Sequence, residues 1–352
     1  MGSETGARYG RILLSRMRFI GDVVLTTPVI RSVRAACPGA WIAYLGERQA
    51  VSLLGQNPFL DEIIPYDYDR PGLLEQARVG LLLRRRRFDL AVDMFGNPRS
   101  ALLTFLSGAR VRVGPDKRER GRFYTIRVAD DGSPKTAVEF HNRYIAAAGI
   151  PPVSSTPELF LAPDERRDAA SYIRWACGDG RAPEAGRPLV GIHAGATWPA
   201  KRWLPERFAE LADTLRSRLG AKVILTAGPG DADAVAAVDR HAVSAPSVLN
   251  VLPLRQLAGV ISCCNVFISN DAGPMHIAAA LGVPTVGLFG PGEESIWFPY
   301  DRAQGHTALR RDVPCHPCHL DLCNRSGDGY MECMKLLTVD EVVAAASRAA
   351  SR

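Results

Sequence analysis

The chain has 352 residues, of which 47% are hydrophobic and 23% charged, and a formal net charge of +6. That length holds two domains with full cores, in proportions ordinary for a soluble protein. No stretch reaches the roughly eighteen apolar residues of a membrane span, and the polar start MGSETGARYG lacks the apolar core of a secretory signal. A cytoplasmic protein is expected. The positive charge favours anionic partners without choosing among nucleic acid, phospholipid and phosphorylated sugar.

In chain order, Arg11–Ser15 (RILLS) reads as a short apolar strand after a polar leader. Residues 16–22 (RMRFIGD) form a loop, and Val23–Ala36 has helical spacing. Strands at Trp41–Leu45, Glu62–Pro65 and Leu90–Met94 then alternate with helices at Glu47–Leu54, Leu73–Arg86 and Arg99–Leu106. Such alternation implies a parallel sheet covered on both faces. No G-x-G-x-x-G follows the first strand, which counts against a dinucleotide dehydrogenase. Instead Gly21-Asp22 stands at a helix entrance. The plain reading of Asp22 is an N-cap. The functional reading is a carboxylate at the C-terminal edge of the first strand, where open α/β sheets place their sites, and where it would serve as a general base.

Two basic features follow. Arg84–Arg87 interrupts an apolar helix and suits the negative end of its dipole. Residues 110–127 (RVRVGPDKRERGRFYTIR) carry seven Arg or Lys against Asp116 and Glu119. Read as a loop-like segment, it would suit an acceptor bearing phosphates or carboxylates, with Arg112, Lys117, Arg118, Arg120 and Arg122 as the expected contacts. Nucleic acid is not expected, because aromatic residues are sparse there and no binding motif is present. Thr136–Ala148 closes this half as a helix in which His141 reads as a structural hydrogen-bonder.

Residues 150–163 (IPPVSSTPELFLAP) break the pattern. A helix at Asp164–Cys177 and the polar stretch 178–188 follow, and the alternation then restarts. The domains are placed at 1–160 and 161–338, with residues 339–352 as a final helix packing back across the pair. In the second half the turns Gly195–Lys201, Gly228–Asp231 and Asn270–Gly273 each follow a strand, so in a parallel sheet all three open on one edge. Lys201 is a candidate for pairing with phosphate, and Asp231 for accepting ribose hydroxyls. Residues 265–291 (NVFISNDAGPMHIAAALGVPTVGLFGP) read as strand, glycine turn, short helix and strand. The amides of Ala272, Gly273 and Met275 would then lie at a positive helix end, a seat for phosphate.

With these residues in place, the chain resembles the ADP-heptose:lipopolysaccharide heptosyltransferases, glycosyltransferase family 9. Three segments carry the likeness: Arg16–Arg31 around Gly21-Asp22, residues 191–208 (GIHAGATWPAKRWLPERF), and Ser269–Pro291. The resemblance implies an α/β chain of the GT-B class, two Rossmann-like domains facing across an interdomain cleft, and an inverting transfer that needs no metal cofactor. It implies Asp22 as the base on the acceptor hydroxyl and Lys201 as the group neutralising the leaving diphosphate. The donor site would draw on Thr197, Lys201, Asp231, Asp271, Ala272, Gly273 and His276, with Asp233 replacing Asp231 under a different alignment of the turn. The donor would be ADP-heptose and the acceptor a lipid A/Kdo or lipopolysaccharide-core glycan, met at the anionic cytoplasmic face of the inner membrane. Another nucleotide sugar as donor, or nucleotide-sugar binding without transfer, are the alternatives; a binder would need neither Asp22 nor Lys201.

Cys315, Cys318, Cys323 and Cys333 form C-x2-C-x4-C-x9-C. In a cytoplasmic chain such thiols either stay reduced or hold a structural zinc ion or iron–sulfur cluster, although this spacing fits no zinc motif well.

Overall fold

The computed structural model describes residues 9–133, 135–177, 187–244, 246–249 and 251–351; most of the polar leader and of the stretch 178–188 lies outside them. The chain divides into two compact units, Met1–Phe160 and Leu161–Arg352.

In the first unit the order is β1 (Arg11–Ser15), α1 (Ile20–Leu25), α2 (Thr27–Ala36), β2 (Trp41–Glu47), α3 (Arg48–Ser52), β3 (Glu62–Tyr66), α4 (Gly72–Arg86), β4 (Leu90–Asp93), α5 (Pro98–Leu106), β5 (Val111–Pro115), β6 (Ile126–Val128) and α6 (Ala137–Ala147). Its sheet runs β3-β2-β1-β4-β5-β6, with every pairing parallel. This is the doubly wound order, whose direction of winding switches between β1 and β4. The central strands carry unbroken apolar runs, ILL in β1 and LAV in β4, because helices cover both faces; Leu13, Leu45, Ile64, Ala91 and Leu83 meet in one core cluster.

The helix expected at Val23–Ala36 is two helices. Pro28 has no N–H to give the Val24 carbonyl, so the ladder breaks at Thr26. The threonine hydroxyls repair the gap: Thr26 Oγ1 donates to the Val23 carbonyl (2.7 Å) and Thr27 Oγ1 to that of Val24 (2.8 Å). The segment 110–127 also departs from expectation. It is bounded by two strands, β5 and β6, with a 3-10 turn at Gly121–Phe123 between them. Their charge hides them, since they lie toward the edge of the sheet and are only partly covered.

The second unit comprises α7 (Pro163–Ala176), β7 (Leu189–His193), α8 (Pro205–Leu219), β8 (Lys222–Thr226), α9 (Ala232–His241), β9 (Ser247–Val248), α10 (Leu254–Ser262), β10 (Val266–Asn270), α11 (Gly273–Ala280), β11 (Thr285–Leu288), α12 (Glu294–Trp297), β12 (Thr307–Leu309), α13 (Glu332–Lys335) and α14 (Val339–Ala350). The all-parallel order β12-β11-β10-β7-β8-β9 repeats the first unit's winding, with its switch between β7 and β10. The last helix belongs to this unit: α14 lies against α8, β10 and β11, and Val342 and Ala346 join the core cluster of Trp203, Phe208 and Ile268. Trp203 stands edge-on to Phe208 at 5.0 Å and gives its indole N–H to the Leu337 carbonyl (3.3 Å). Burying a side chain of that size contributes about 2–3 kcal/mol. Among the described residues no helix is long and apolar enough to cross a membrane.

Candidate active site

Open α/β sheets bind ligands beyond the carboxyl ends of their strands, at the point where the winding reverses. In the second unit that point lies between β7 and β10, and the three turns singled out in the sequence follow β7, β8 and β10, three neighbouring strands.

The centre of this edge is Asn270, fully buried at the end of β10. Its side-chain amide donates to the carbonyls of Ala194 (2.8 Å) and Gly195 (3.3 Å), and its Oδ1 accepts from the Trp203 amide (3.0 Å). One asparagine thus staples both ends of the loop 194–203 to the neighbouring strand. That loop carries Lys201, at the end of the 3-10 turn Pro199–Lys201. Its Nζ lies 2.5 Å from Asp271 Oδ2, with the side chains 19% and 6% exposed. The approach is ionic rather than that of a well-directed hydrogen bond, since Asp271 Oδ2 lacks one. The Trp198 ring lies beneath the ammonium at 4.7 Å. Gly292 closes over the pair; a Cβ there would stand 3.0 Å from Asp271 Oδ2.

Helix α11 begins at Gly273, with Ala272 as an N-cap that has no side-chain oxygen to offer and Pro274 in its first turn. Ala272 and Gly273 are partly exposed. The Met275 amide turns back onto the Ala272 carbonyl (3.1 Å), so of the three amides expected to face phosphate only those of Ala272 and Gly273 suit the role. His276 is 4% exposed on the inner face of α11, its Nδ1 2.8 Å from the Tyr300 hydroxyl. Thr197 is exposed in the loop after β7.

Asp231 lies inward. Its Oδ2 accepts from the Gly228 amide (2.7 Å) and stands 3.5 Å from His193 Nε2, while His193 Nδ1 faces the Thr226 hydroxyl at 3.1 Å. Burial holds the His193 imidazole below its ordinary pKa, against the opposing pull of Asp231. Asp231 is thereby tied to its own turn, whereas Asp233 is exposed in the first turn of α9.

In the first unit the switch lies between β1 and β4, and the loop after β1 delivers Asp22. It is the third residue of α1, not its N-cap. Oδ2 accepts from the Phe19 amide (3.1 Å), and Oδ1 pairs with Arg16 Nη2. Arg16 gives Nη1 to the Met94 carbonyl (3.2 Å), and its guanidinium lies 4.4 Å from the Phe95 ring. The sequence reading passed over Arg16 and His193, and took Asn270 only as the first residue of its turn. Only Arg16 had a local signal, standing six residues before the carboxylate.

The basic segment divides. Arg112 turns back within β5, giving Nε to the Phe123 carbonyl (2.8 Å) and Nη1 to that of Ala109 (2.6 Å). Arg120 gives Nη1 to the Gly96 carbonyl (3.0 Å), tying the loop after β5 to the loop after β4. Lys117, Arg118 and Arg122 are exposed. Arg84, Arg85 and Arg86 form the last turn of α4, leading toward the start of β4 and the opposite edge of the sheet.

Cys315, Cys318, Cys323 and Cys333 are free, partly buried thiols. Burial, then the neighbouring thiols, push Cys333 up to about 11. Arg325 hydrogen-bonds Cys315 and lies near Cys323, and the Cys323 sulfur accepts from the Met331 amide (3.4 Å). A guanidinium thus stands among the thiols. Among the described residues no group of three or more His, Cys, Asp or Glu is gathered to hold a metal ion.

Residues 77–326 match the model of a family described as glycosyltransferase family 9 (heptosyltransferase). The chain is 29% identical to lipopolysaccharide heptosyltransferase 2 of Escherichia coli (strain K12), over 94% of this chain and 99% of that protein. Among solved structures it is similar to a glycosyl transferase family 9 protein from Veillonella parvula DSM 2008 (TM-score 0.83, 25% identity, 97% of each chain). It is also similar in fold to E. coli ADP-heptose lps heptosyltransferase II (TM-score 0.78, 24% identity, 97% of this chain and 98% of that one).

Proposed function

The chain belongs to glycosyltransferase family 9, and on that premise we propose that it is an inverting transferase moving heptose from ADP-heptose to the inner core of lipopolysaccharide. The observation that carries the reading is Lys201 Nζ, 2.5 Å from Asp271 Oδ2 at the switch point of the second unit. An ammonium held there by a buried carboxylate is a fixed positive charge at the place where open sheets seat nucleotide phosphates.

In this reaction Asp22 takes the proton of an acceptor hydroxyl while that oxygen attacks the anomeric carbon from the face opposite the diphosphate. The bond from the anomeric carbon to the diphosphate oxygen breaks, and ADP leaves with the bonding pair. Lys201 and the amides of Ala272 and Gly273 meet the charge that develops, and supply what a divalent metal would otherwise supply. Asp271 does not touch phosphate; it aims Lys201 and fixes the turn. Asp231 holds the loops after β7 and β8 in place, and the ribose contact passes to Asp233. Thr197 lies on the donor loop, and His276 supports the seat from behind through Tyr300. On the acceptor side Lys117, Arg118 and Arg122 take phosphates or carboxylates of a lipid A/Kdo acceptor, and Arg84–Arg87 offers a separate contact to an anionic leaflet. The work is done at the cytoplasmic face of the inner membrane.

The test is transfer from ADP-heptose to a Kdo-bearing lipid A acceptor. Asp22→Ala is expected to abolish product while ADP-heptose still raises the melting temperature. An active Asp22→Ala enzyme removes the base assignment. Stabilisation by GDP- or UDP-sugars but not by ADP-heptose removes the donor.

A further inference from the structure

Helix α4 buries one side of itself and leaves the other to solvent. Val79 and Leu83 enter the core cluster of the first unit, and Gly80 lets Leu106 of α5 approach, where a Cβ would stand 2.8 Å from its Cδ1. The other side carries Leu73, Leu74 and Leu81, which are 88%, 69% and 63% exposed. Single exposed leucines are ordinary, but these share an arc with cations. At about 100° per residue, Leu73, Arg84, Leu81, Leu74, Arg85 and Arg78 fall in that order within about 140° of the helix surface. Arg84 and Arg85 are exposed along with the leucines. The one acid of the helix, Glu75, is turned inward, its side chain fully buried and bonded to the Asp67 amide (3.0 Å) and Arg78 Nε (2.7 Å). The surrounding chain is as one-sided. Residues 76–115 hold eight arginines against two acids; Asp93 is buried, and Asp89 accepts from the Gly10 and Arg11 amides (both 2.9 Å).

We propose that this outer face of α4 docks on an anionic lipid bilayer, with Leu73, Leu74 and Leu81 entering the boundary between headgroups and acyl chains. Arg84 and Arg85 then meet lipid phosphates while their stems lie along the apolar surface. The proposal deepens the function read above, and rests on it in that the acceptor there is lipid-borne. Charge selects the occupant. A second copy of the chain seated on this face would bring arginines against arginines with no exposed acid on α4 to answer them, whereas a bilayer of acidic phospholipids answers both the apolar strip and the cations. Of the basic run, Arg86 is kept from this face by Glu62 (2.6 Å) and lies beside the Trp41 ring. Placement fits the same occupant. Because α4 follows β3, its first turn stands at the carboxyl edge of the first sheet, and a Cβ at Gly72 would lie 3.5 Å from Arg99 Nη2 in the first turn of α5. The loop between β4 and α5 also receives Arg16, the partner of Asp22, at the Met94 carbonyl (3.2 Å). Docking on α4 therefore holds the edge that carries Asp22 close to the surface from which a lipid-borne acceptor comes.

The experiment is flotation of the full chain with vesicles of phosphatidylethanolamine and phosphatidylglycerol, with neutral phosphatidylcholine vesicles as the contrast. Binding to the anionic vesicles alone is expected. Salt at about 0.5 M should weaken it without abolishing it, because screening acts on the arginines and not on the leucines. Replacing the three leucines together (Leu73→Gln, Leu74→Gln and Leu81→Gln) is expected to lower vesicle affinity at least about tenfold with the melting temperature unchanged. Arg85→Glu is expected to lower it about fivefold at low salt. Should the triple variant lose its fold, Leu73→Gln with Leu74→Gln, both in the first turn, carries the same expectation in smaller measure. Equal binding to neutral and anionic vesicles, or a folded leucine variant that binds as well as wild type, overturns the proposal. So does a wild-type dimer that the leucine variant dissociates while its vesicle binding stands. Transfer to a deacylated, water-soluble glycan acceptor tests the function separately: transfer without vesicle binding defeats only the docking face, and vesicle binding without transfer defeats only the reaction proposed above.

Discussion

On the proposed mechanism Lys201 has two separable jobs, and removing it should show both. In Lys201→Met the apolar stem over Trp198 is kept and the ammonium is lost. Asp271, 6% exposed, is then left as a buried carboxylate whose paired charge is gone. Removing one partner of a buried ion pair costs about 3–5 kcal/mol. Because the Lys201 side chain is 19% exposed, the lower end applies, about 3 kcal/mol. Adding Asp271→Asn removes the stranded charge, and the double variant should recover about 2 kcal/mol of that loss. Transfer should not recover with it. Losing a fixed charge at the leaving group costs about 10²–10³ in kcat, and the asparagine supplies no cation. The measurements are urea unfolding followed by the fluorescence of buried Trp203, with kcat measured on the same preparations. A Lys201→Met protein within about 1 kcal/mol of wild type, or a double variant no more stable than the single, would refute the buried-pair reasoning.

Two further perturbations test the supporting structure. A methyl group at Gly195 would lie 2.1 Å from Asp231 Cγ, so Gly195→Ala should expel the carboxylate from the Gly228 amide and lower stability by about 2–4 kcal/mol, measured by urea unfolding; a loss below about 1 kcal/mol would show that the turn yields freely. His306 is buried, and burial lowers its pKa from 6.5 to about 4. Protonation therefore favours the unfolded chain. The His306 contribution is complete above pH 6.5 and is lost as pH falls toward 4, by about 3 kcal/mol in all; His306→Gln should flatten the stability-versus-pH curve by one proton across that window, and an unchanged slope would show that His306 does not titrate there.

The fold was legible where one physical rule acted alone. LVGIH and VFISN open on unbroken apolar runs, LVGI and VFI, because a doubly covered parallel strand has no solvent face, and both are strands buried along their whole length. Gly21-Asp22 was visible because a carboxylate beside a helix start follows a strand. What escaped was of two kinds. In 110–127 a strong surface signal, charge, masked a weak one, the pairing of two strands near a sheet edge. Elsewhere the partners are far apart in sequence. Asn270 meets Ala194 and Trp203, and Asp231 meets His193, only because β10, β7 and β8 are neighbours. No local pattern announces that an asparagine in a turn will hold another loop, or that an aspartate after a glycine turn will be spent on the turn itself. The break at Thr26 could have been read, since Pro28 forbids the continuous helix.

The charges at the edge of the second unit explain why so many carboxylates stand where a diphosphate is expected. Asp231 and Asp271 would repel such a ligand if either faced it bare. Neither does: Asp231 is turned onto the Gly228 amide and His193, and Asp271 is covered by the Lys201 ammonium. An ammonium has three donors. Lys201 can therefore pair ionically with Asp271 and still offer hydrogens to a ligand, and the buried carboxylate limits its wandering without neutralising its other side. A lysine lacking that anchor would spend most of its time solvated on a flexible stem. On the proposed reading the carboxylate beside the diphosphate is thus not an obstacle that the site tolerates but what keeps the Lys201 ammonium in place, and Asn270 serves the same end by holding the loop from which Lys201 extends.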